Sequence, residues 1–564
     1  MRITYNDKLN KLLNPYLESL LKEKSSLEPE TLTLFDLFME DLDMGGRYGI
    51  FSEILEPRLE EIIREENIES IANLMDGRLN TLFRYMLGDE FAGLFHTYLQ
   101  LEARCPHTIG YDRRAQRSAH PSNHLDHARD AWLQFLKLRA TGFSVEAILK
   151  GGNTPEDTEE FSGYMNSSYW LAAQIAQGNE KVIEYLNQVL TSENNVHRLQ
   201  RWYLHAIAIS GHRPLLELKG KLLLAAKLQE GLRQAIVETM DEGCPESYLY
   251  LFSIIYNNGL QRFASVKRSI AVCTGIGEQD SSERITNKYV ELIWNFLNHP
   301  ETARNTLQSK DTVELYLALW SIGFYDTDEI RAIVPDIIRK GAKHQIQTLL
   351  YFLRCTQSSQ MNHLISKDAF EVWHDDPKVV AAILPLYMDG LYLSRYSDNK
   401  EAPTLSDYFE TPEEAVRHYG YLKQVYQSIS AKEIYSPYVF PWDCVVLTRS
   451  DVVLKMAYIA WMTNDIRLRE ELCTYLPALE SYNRASYIGI VLARTESKVE
   501  QEYVLQSLGD RSADIRDEAY KVLSEMSLSP EQYQHIEELL RFKYSEMRIN
   551  ACLLYTSPSP RDCS

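Results

Sequence analysis

Glycine and proline are scarce in this sequence, which has 25 glycines and 20 prolines in 564 residues. Because both residue types interrupt helices, their low number favours a helical fold over one built from many short strands. Long apolar runs are also missing, since no segment reaches ~18 consecutive apolar residues, and we therefore expect no transmembrane helix. The N-terminal segment lacks the apolar stretch of a signal peptide, so we expect a cytoplasmic protein.

The signatures of common enzymes and metal sites are missing as well. The eight cysteines stand at long, irregular spacings, and none forms a C-x-x-C pair. This argues against a zinc site made of cysteine pairs and against a disulfide framework. We find no phosphate-binding P-loop, dinucleotide fingerprint, nucleophile elbow, kinase motif set or H-E-x-x-H. The sequence therefore predicts no cofactor and favours a binding protein over an enzyme.

Acidic residues outnumber basic ones by 79 to 59, which gives a formal net charge of −20. Such a charge disfavours unspecific attraction to nucleic acid or to anionic lipid. A local basic patch remains compatible with it. The bulk charge thus directs the search for a partner towards proteins, with nucleic acid as an alternative at a basic stretch.

Apolar residues recur at helical spacing along most of the chain, which predicts an all-α protein. Segments 33–42, 198–209 and 313–324 each place apolar side chains on one helical stripe. Helix starts are marked at Thr411-Pro412 and at Ser529-Pro530, where a hydroxyl residue precedes proline and acidic residues. Segments 231–263 and 326–353 each predict two helices, separated by Gly243 and by Gly341 respectively.

The C-terminal part contains an internal repeat. Arg484, Arg516 and Arg548 are separated by 32 residues each time, and a second helix lies between the last two. Each period therefore predicts one pair of antiparallel helices, a unit that buries its apolar face only by stacking on its neighbours. The segment from Asp510 to Leu523 is similar to the HEAT-repeat consensus, and we expect the three arginines to form a structural polar ladder along the stack.

These patterns predict an irregular helical N-terminal region that leads into a HEAT- or armadillo-like α-solenoid. A polar, irregular stretch interrupts the helical pattern and is typical of a long loop or boundary. The predicted divisions are an N-terminal helical region at 1–125, irregular HEAT-like repeats at 126–393, a loop or boundary at 394–415, and HEAT-like repeats at 416–551.

One polar stretch, residues 104–132, concentrates arginine and histidine within this acidic chain. Arg113, Arg114 and Arg117 suit a phosphate or nucleic-acid contact, and Tyr111 is placed to stack on a base. A second interpretation is a metal site, because His120, His124 and His127 follow the spacing H-x-x-x-H-x-x-H. Pro121 argues against placing all three histidines on one helix. The third interpretation is a surface loop whose arginines pair with nearby carboxylates.

A second basic stretch lies at residues 257–276. Arg262, Lys267 and Arg268 are candidates for an anion or partner contact at the start of a helix. The alternative is a repeat turn followed by an ordinary amphipathic helix, in which Val266 and Ile270 share the buried stripe. We favour the helix, because its apolar period is regular.

The two basic stretches also carry a family resemblance. Residues 109–118, "IGYDRRAQRS", and residues 257–276 resemble segments of large bacterial proteins described as molybdate-metabolism-regulator-like. Those proteins place helical repeats ahead of a C-terminal conserved domain and in some cases a WGR module. The resemblance implies that this chain is the N-terminal helical part of a larger multidomain bacterial protein. It supplies no catalytic residues for positions in this sequence.

The last residues of the chain do not continue the repeat. Residues 552–562 match, codon for codon, the translation of a transposase-based sequencing adapter read in an open frame. We therefore interpret 552–564 as non-native, and we expect the native protein to continue beyond Ala551 in a truncated repeat. The function that this sequence predicts is a non-catalytic scaffold, which recognises a protein partner through a surface of helical repeats.

Overall fold

A computed structural model gives the structure of the chain. The described residues are 7–44, 78–105, 107–108, 115–116, 135–136, 139, 164–191, 199–226, 229–240, 243–274, 286–325, 327–356, 359–396, 401–430, 434–437, 444–493, 495–526, 528–539, 552 and 554. The chain divides into two compact units. They are Met1–Arg331 with Cys355–Gln357, and Ala332–Arg354 with Ser358–Ser564. Of the predicted non-native tail, only Cys552 and Leu554 belong to the described residues.

The first unit is built from helices. Its described helices are α1 (Asp7–Glu23), α2 (Pro29–Met44), α3 (Arg78–Leu87), α4 (Asp89–Arg104), α5 (Tyr164–Ala176), α6 (Glu180–Thr191), α7 (Arg201–Ser210), α8 (Arg213–Ala225), α9 (Glu230–Glu238), α10 (Pro245–Asn257), α11 (Ala264–Cys273), α12 (Asn287–Asn298), α13 (Pro300–Thr306) and α14 (Thr312–Tyr325). Two short strands, β1 (His107–Thr108) and β2 (Ala115–Gln116), pair antiparallel with His107 opposite Gln116.

Helix α15 (Thr327–Lys340) contains the point at which the first unit ends and the second begins. The helices that follow are α16 (Lys343–Thr356), α17 (Ser359–Trp373), α18 (Pro377–Ile383), α19 (Pro412–Ser428), α20 (Arg449–Thr463), α21 (Ile466–Leu472), α22 (Ser481–Ile490), α23 (Lys498–Ser507), α24 (Ala513–Ser524) and α25 (Pro530–Leu539). Strands β3 (Ile434–Pro437) and β4 (Cys444–Leu447) form a second antiparallel ribbon, with Ile434 opposite Leu447.

The described residues are mostly helical, which confirms the all-α prediction at the level of fold class. The sequence did not predict the two short strand pairs. Gly341 separates α15 from α16, and Gly243 stands between α9 and α10, as the sequence predicted. A Cβ on Gly341 would lie 2.4 Å from the carbonyl oxygen of Ile337, so the chain needs glycine where it leaves α15.

Local sequence sets where the helices begin. The Thr411 hydroxyl accepts the backbone N–H of Glu414 at the start of α19, with Pro412 in the first turn. Ser529 and Gln532 exchange hydrogen bonds with each other's backbone N–H at the start of α25. These contacts satisfy N–H groups that have no partner within the helix, and they confirm both predicted starts.

Many described helices pack against the helix after the next one in the chain. In the first unit this holds for α5 with α7, α6 with α8, α8 with α10, α9 with α11, α10 with α12, and α12 with α14; in the second it holds for α21 with α23, α22 with α24, and α23 with α25. The starts of α22 and α24, Ser481 and Ala513, are 32 residues apart, as are those of α23 and α25. The predicted period therefore corresponds to real helices.

Apolar side chains fill the interior of both units, and tyrosine contributes many of the largest. Tyr98, Tyr203 and Tyr248 are fully buried in the first unit, and Tyr387, Tyr419 and Tyr487 in the second. Small residues allow close packing: Ala485 on α22 and Ala519 on α24 are fully buried. Among the helices that the structure describes, none has the length and apolar character needed to cross a bilayer.

Candidate functional site

Buried polar side chains collect in the second unit, between α17, the turn after α18, and the start of α19. His418 reaches this place because it lies on the inner face of α19. It shares that face with Ala415, Tyr419 and Leu422, which are all buried. The apolar periodicity of α19 therefore carries an imidazole into the interior together with the hydrophobic side chains.

Tyr387, His418 and Glu371 form a chain of hydrogen bonds, here called the Tyr–His–Glu chain. The Tyr387 hydroxyl donates to Nδ1 of His418 at 2.9 Å, and Nε2 of His418 donates to Oε1 of Glu371 at 3.0 Å. Because an ionised carboxylate only accepts, the imidazole carries its proton on Nε2 and accepts at Nδ1. Both Tyr387 and His418 are fully buried. The neutral imidazole is thus satisfied at both nitrogens, and a substrate has no access to the hydroxyl.

Glu371 is the charged end of this chain. Its Oε1 also accepts from Nη2 of Arg417 at 2.7 Å, and its Oε2 accepts from the Tyr421 hydroxyl at 3.2 Å. Burial alone would raise the pKa of the Glu371 carboxyl, but Arg417, together with His418 and the Tyr421 hydroxyl, outweighs burial and holds that pKa below its usual value. Burial, opposed by Glu371, lowers the pKa of His418. The stable form is an ionised Glu371 beside a neutral His418.

Glu414 lies next to the chain and has its own cation. Lys367 places Nζ 2.9 Å from Oε1 of Glu414, and the Lys367 side chain is only 9% exposed. Burial would raise the pKa of the Glu414 carboxyl, but the hydrogen bonds from Lys367 and from the backbone N–H of Glu410, with the Lys367 charge, lower it overall. Each carboxylate of this cluster is therefore balanced by one basic side chain.

Glu371, Glu414 and His418 also have the composition of a metal site. One ligand atom from each lies within 4.8 Å of the others. Glu414 and His418 are four residues apart on α19, so they share one helix face. Two carboxylates and an imidazole suit a divalent cation such as zinc. Here, however, Lys367 and Arg417 already neutralise both carboxylates, and a metal ion would have to displace them. The geometry therefore favours an ion-pair cluster.

His363 fastens the turn beside this cluster to α17. Its Nδ1 accepts the backbone N–H of Met388 at 3.0 Å, and its Nε2 donates to the carbonyl oxygen of Tyr408 at 2.8 Å. Met388 has a positive φ of 53°, which is uncommon for a residue other than glycine. Burial lowers the pKa of His363 to about 4. The neutral imidazole thus holds two loop segments on one helix.

Lys455 on α20 is a further perturbed group. Burial lowers the pKa of its ammonium to about 8, and the charges of Asp389 and Asp451 act in the opposite direction. Its Nζ lies 5.5 Å from the centroid of the Tyr458 ring. The Tyr458 hydroxyl donates to the carbonyl oxygen of Leu391 at 2.8 Å. Helix α20 therefore supports the segment that begins at Leu391.

That segment presents tyrosine side chains to solvent. Tyr392 is 67% exposed and Tyr396 is 72% exposed. The hydroxyl of Tyr482, at the start of α22, lies 3.0 Å from the hydroxyl of Tyr392 and 3.1 Å from that of Ser394. Tyr392, Tyr396 and Tyr482 are here called the tyrosine surface. Exposing aromatic rings to water is unfavourable, and exposed rings that are held in place by hydrogen bonds are typical of recognition surfaces.

Arg395 anchors the tyrosine surface through a side chain that is largely buried. Its guanidinium donates to Oδ1 of Asp514 at 2.5 Å and lies 3.8 Å from Glu518, although its side chain is only 9% exposed. The same guanidinium donates to the Tyr396 hydroxyl at 2.8 Å. Its backbone N–H donates to the Ser486 hydroxyl at 3.3 Å. The segment is therefore tied to α22 and α24, and these contacts restrict the positions of its tyrosine side chains.

The sequence-predicted anion and metal residues fall in two groups. The residues of the first stretch, Tyr111, Arg113, Arg114, Arg117, His120, His124 and His127, lie outside the described residues. In the second stretch, Arg262 lies over the Phe263 ring at 4.8 Å. Lys267 and Arg268 lie on α11, where Val266 and Ile270 are fully buried. This confirms the amphipathic helix; an anion contact there stays a prediction.

The predicted ladder arginines contact one short loop. Arg484 pairs with the carboxylate of Asp510 at 2.9 Å. Nη1 of Arg516 donates to the carbonyl oxygens of Asp510 and Arg511, each at 3.0 Å. Asp510 thus receives two successive arginines of the repeat, one at its side chain and one at its backbone. Arg548 lies outside the described residues.

Sequence reasoning missed the Tyr–His–Glu chain and the tyrosine surface. Two local signals exist for the first: His418 lies on the apolar stripe of α19, and it is spaced four residues from Glu414. Both match many ordinary helices. The second joins residues about ninety positions apart, since Tyr392 contacts Tyr482. No motif in the sequence marks either arrangement.

Comparison with known proteins gives a family and no activity. No curated protein matches the chain, and no solved structure does. The profile of a family of unknown function, DUF5724, matches residues 34–560. Because this match spans most of the sequence, the chain belongs to the family of unknown function DUF5724.

Proposed function

We propose that the chain is a non-catalytic scaffold that binds a protein partner through its helical surface. The observation that carries this proposal is the tyrosine surface. Tyrosine is enriched among residues that dominate binding energy, because its ring contributes a large contact area and its hydroxyl a hydrogen bond. Arg395 and Ser394 hold these rings in place before any partner arrives, which lowers the entropic cost of binding.

The packing of helices against their next-but-one neighbours supports the finer architecture within this proposal. That pattern is expected where helix pairs stack, because equivalent helices of successive repeats become neighbours. We therefore propose a HEAT- or armadillo-like solenoid of antiparallel pairs. We also propose that it forms the N-terminal part of a larger bacterial protein of the molybdate-metabolism-regulator-like type, acting in the cytoplasm.

The internal balance of the buried cluster supports binding over catalysis. Glu371 and Glu414 are each paired with a basic side chain, and His418 is enclosed. An active site needs a reacting group that a substrate can reach. In the cluster, the hydrogen bonds of these groups are directed at one another, which is the arrangement of a structural network.

The test is partner capture from the native host with the full chain at ~150 mM salt, after nuclease treatment. The double variant Tyr392→Ala/Tyr396→Ala should lose the captured protein. The control Ile466→Ser/Val499→Ser removes apolar side chains that are 45% and 49% exposed elsewhere on the same unit. It should retain the partner.

Two results would overturn the proposal. One is equal capture by the wild type and the double tyrosine variant. The other is recovery of nucleic acid without nuclease treatment that disappears when Arg113, Arg114 and Arg117 are changed to alanine. The second result would replace the protein scaffold with a nucleic-acid-binding function at the basic stretch.

A further inference from the structure

We infer that the tyrosine surface receives a basic segment of the partner, one that carries arginine or lysine. This inference rests on the proposed function and specifies the chemistry of the partner. The faces of tyrosine rings attract cations, because the π-electrons make each face negative. Arg395 already uses this contact inside the chain, with its guanidinium carbon 4.9 Å from the centroid of the Tyr396 ring.

Carboxylates lie close in sequence to the tyrosines of this surface. Asp389 precedes Tyr392 by three residues, and Glu480 precedes Tyr482 by two. Asp514, whose side chain is 55% exposed, holds Arg395 next to Tyr396. Because Glu480 is exposed, it would attract a cation that approaches the start of α22 from solvent, and it would repel an acidic peptide.

Arg395, which lies between Tyr392 and Tyr396 in the sequence, is already engaged within the chain. Arg395 pairs with Asp514 and contacts Glu518 at 3.8 Å. A partner anion would therefore have to compete with Asp514 for Arg395. The formal net charge of −20 favours the approach of a basic partner.

The experiment measures binding of two fluorescent peptides to the full chain by anisotropy. One peptide has four arginines spaced by Gly-Ser, and the other has glutamate at the same four positions. We expect the arginine peptide to bind and the glutamate peptide to bind at least tenfold more weakly. Tyr392→Ala/Tyr396→Ala should weaken the arginine peptide about tenfold, which corresponds to two exposed cation–π contacts.

Controls separate the rings from the general charge of the chain. Tyr392→Phe/Tyr396→Phe keeps both π faces and should retain most of the affinity. Ile466→Ser/Val499→Ser should retain all of it. Because none of these variants alters the net charge, unspecific attraction of a basic peptide is the same in each. Glu480→Gln should weaken binding by a few-fold and reduce its dependence on salt.

Failure of this inference can be told apart from failure of the proposed function. If the arginine peptide binds the double alanine variant as tightly as the wild type, or if the glutamate peptide binds equally well, the inference is wrong. The proposed function survives that result when the native partner is still captured only by the intact tyrosine surface. If native capture is also indifferent to both tyrosines, the scaffold proposal fails as well.

Discussion

Acidification from pH 7 to pH 4 should release the turn around Met388, because His363 holds that turn only as a neutral imidazole. In the neutral form, Nδ1 accepts the Met388 N–H while Nε2 donates to Tyr408. A proton on Nδ1 would point at the Met388 N–H, from which Nδ1 accepts a hydrogen bond in the neutral form. Protonation therefore removes one hydrogen bond and places a charge in a buried site.

The pKa values set the size and the sign of this effect. The imidazole of His363 has a pKa of about 4 in the native chain, against 6.5 for the ordinary group. Between these values the unfolded chain binds a proton that the native chain does not, so lowering the pH favours unfolding. The contribution is fully present above pH 6.5 and is lost as the pH falls through 4. At 1.36 kcal/mol per pKa unit, the total is about 3 kcal/mol.

The assay compares urea denaturation of the wild type and of His363→Phe across this pH range. Phenylalanine keeps the ring but cannot titrate, so the variant should be less stable at pH 7 and should depend less on pH between 6.5 and 4. Hydrogen exchange of the peptide 384–392, followed by mass spectrometry, should show the same result locally: the exchange rates of the wild type and of His363→Phe should differ at pH 7 and become similar near pH 4. His299→Gln, at a side chain 61% exposed, is the control and should behave as the wild type.

Other groups also respond to acid, which is why the difference between two proteins is measured. Glu371, Glu414 and Asp376 have lowered pKa values and lose their stabilising contacts at acidic pH in both proteins. If the stability curves of the wild type and of His363→Phe stay parallel from pH 7 to pH 4, the imidazole does not act as described and the reasoning is refuted.

Two further predictions use matched substitutions in urea denaturation. Tyr387→Phe should lower the free energy of unfolding by about 1–3 kcal/mol, because it leaves the buried Nδ1 of His418 without a donor. Tyr421→Phe removes a partly exposed hydroxyl and should cost less. Equal losses of stability in the two variants would contradict this geometry. Gly243→Ala should cost about 1–3 kcal/mol, because its Cβ would lie 2.7 Å from the Cβ and 2.9 Å from the carbonyl oxygen of Ala208. Gly420→Ala, inside α19 with open space around it, should gain about 0.5–1 kcal/mol, and a loss there would show that the space is absent.

Helices were the predictable part of this fold, because their signals are local. The caps at Thr411 and Ser529, the stops at Gly243 and Gly341, and the 32-residue period each depend on a few neighbouring residues. Propensity, capping and amphipathic spacing act over one or two turns, so one sequence suffices to recognise them. The strand pairs β1–β2 and β3–β4 are too short to show an alternating pattern.

The candidate site was not predictable for the opposite reason. Glu371, Tyr387 and His418 come from three segments, and each residue type is common at helix surfaces. The apolar stripe of α19 places His418 inward, but only tertiary packing brings Tyr387 and Glu371 to it. Burial and these two partners then change its chemistry. The arginine and histidine clusters of residues 104–132 are close together in the sequence. Closeness along the chain does not show which side chains meet in space.

Arg395 connects the stability of the second unit with the proposed recognition surface. Its guanidinium holds Asp514 on α24, and it also supports the ring of Tyr396. Losing it would leave Asp514 without this cation, while Glu518 would keep Lys521, and it would release the segment that carries the tyrosines. A change at Arg395 therefore alters folding and binding together and cannot separate them. Substitutions at the exposed rings of Tyr392 and Tyr396 remove the contacts between Arg395 and Tyr396 but keep the Arg395–Asp514 pair, so they are the ones that isolate recognition.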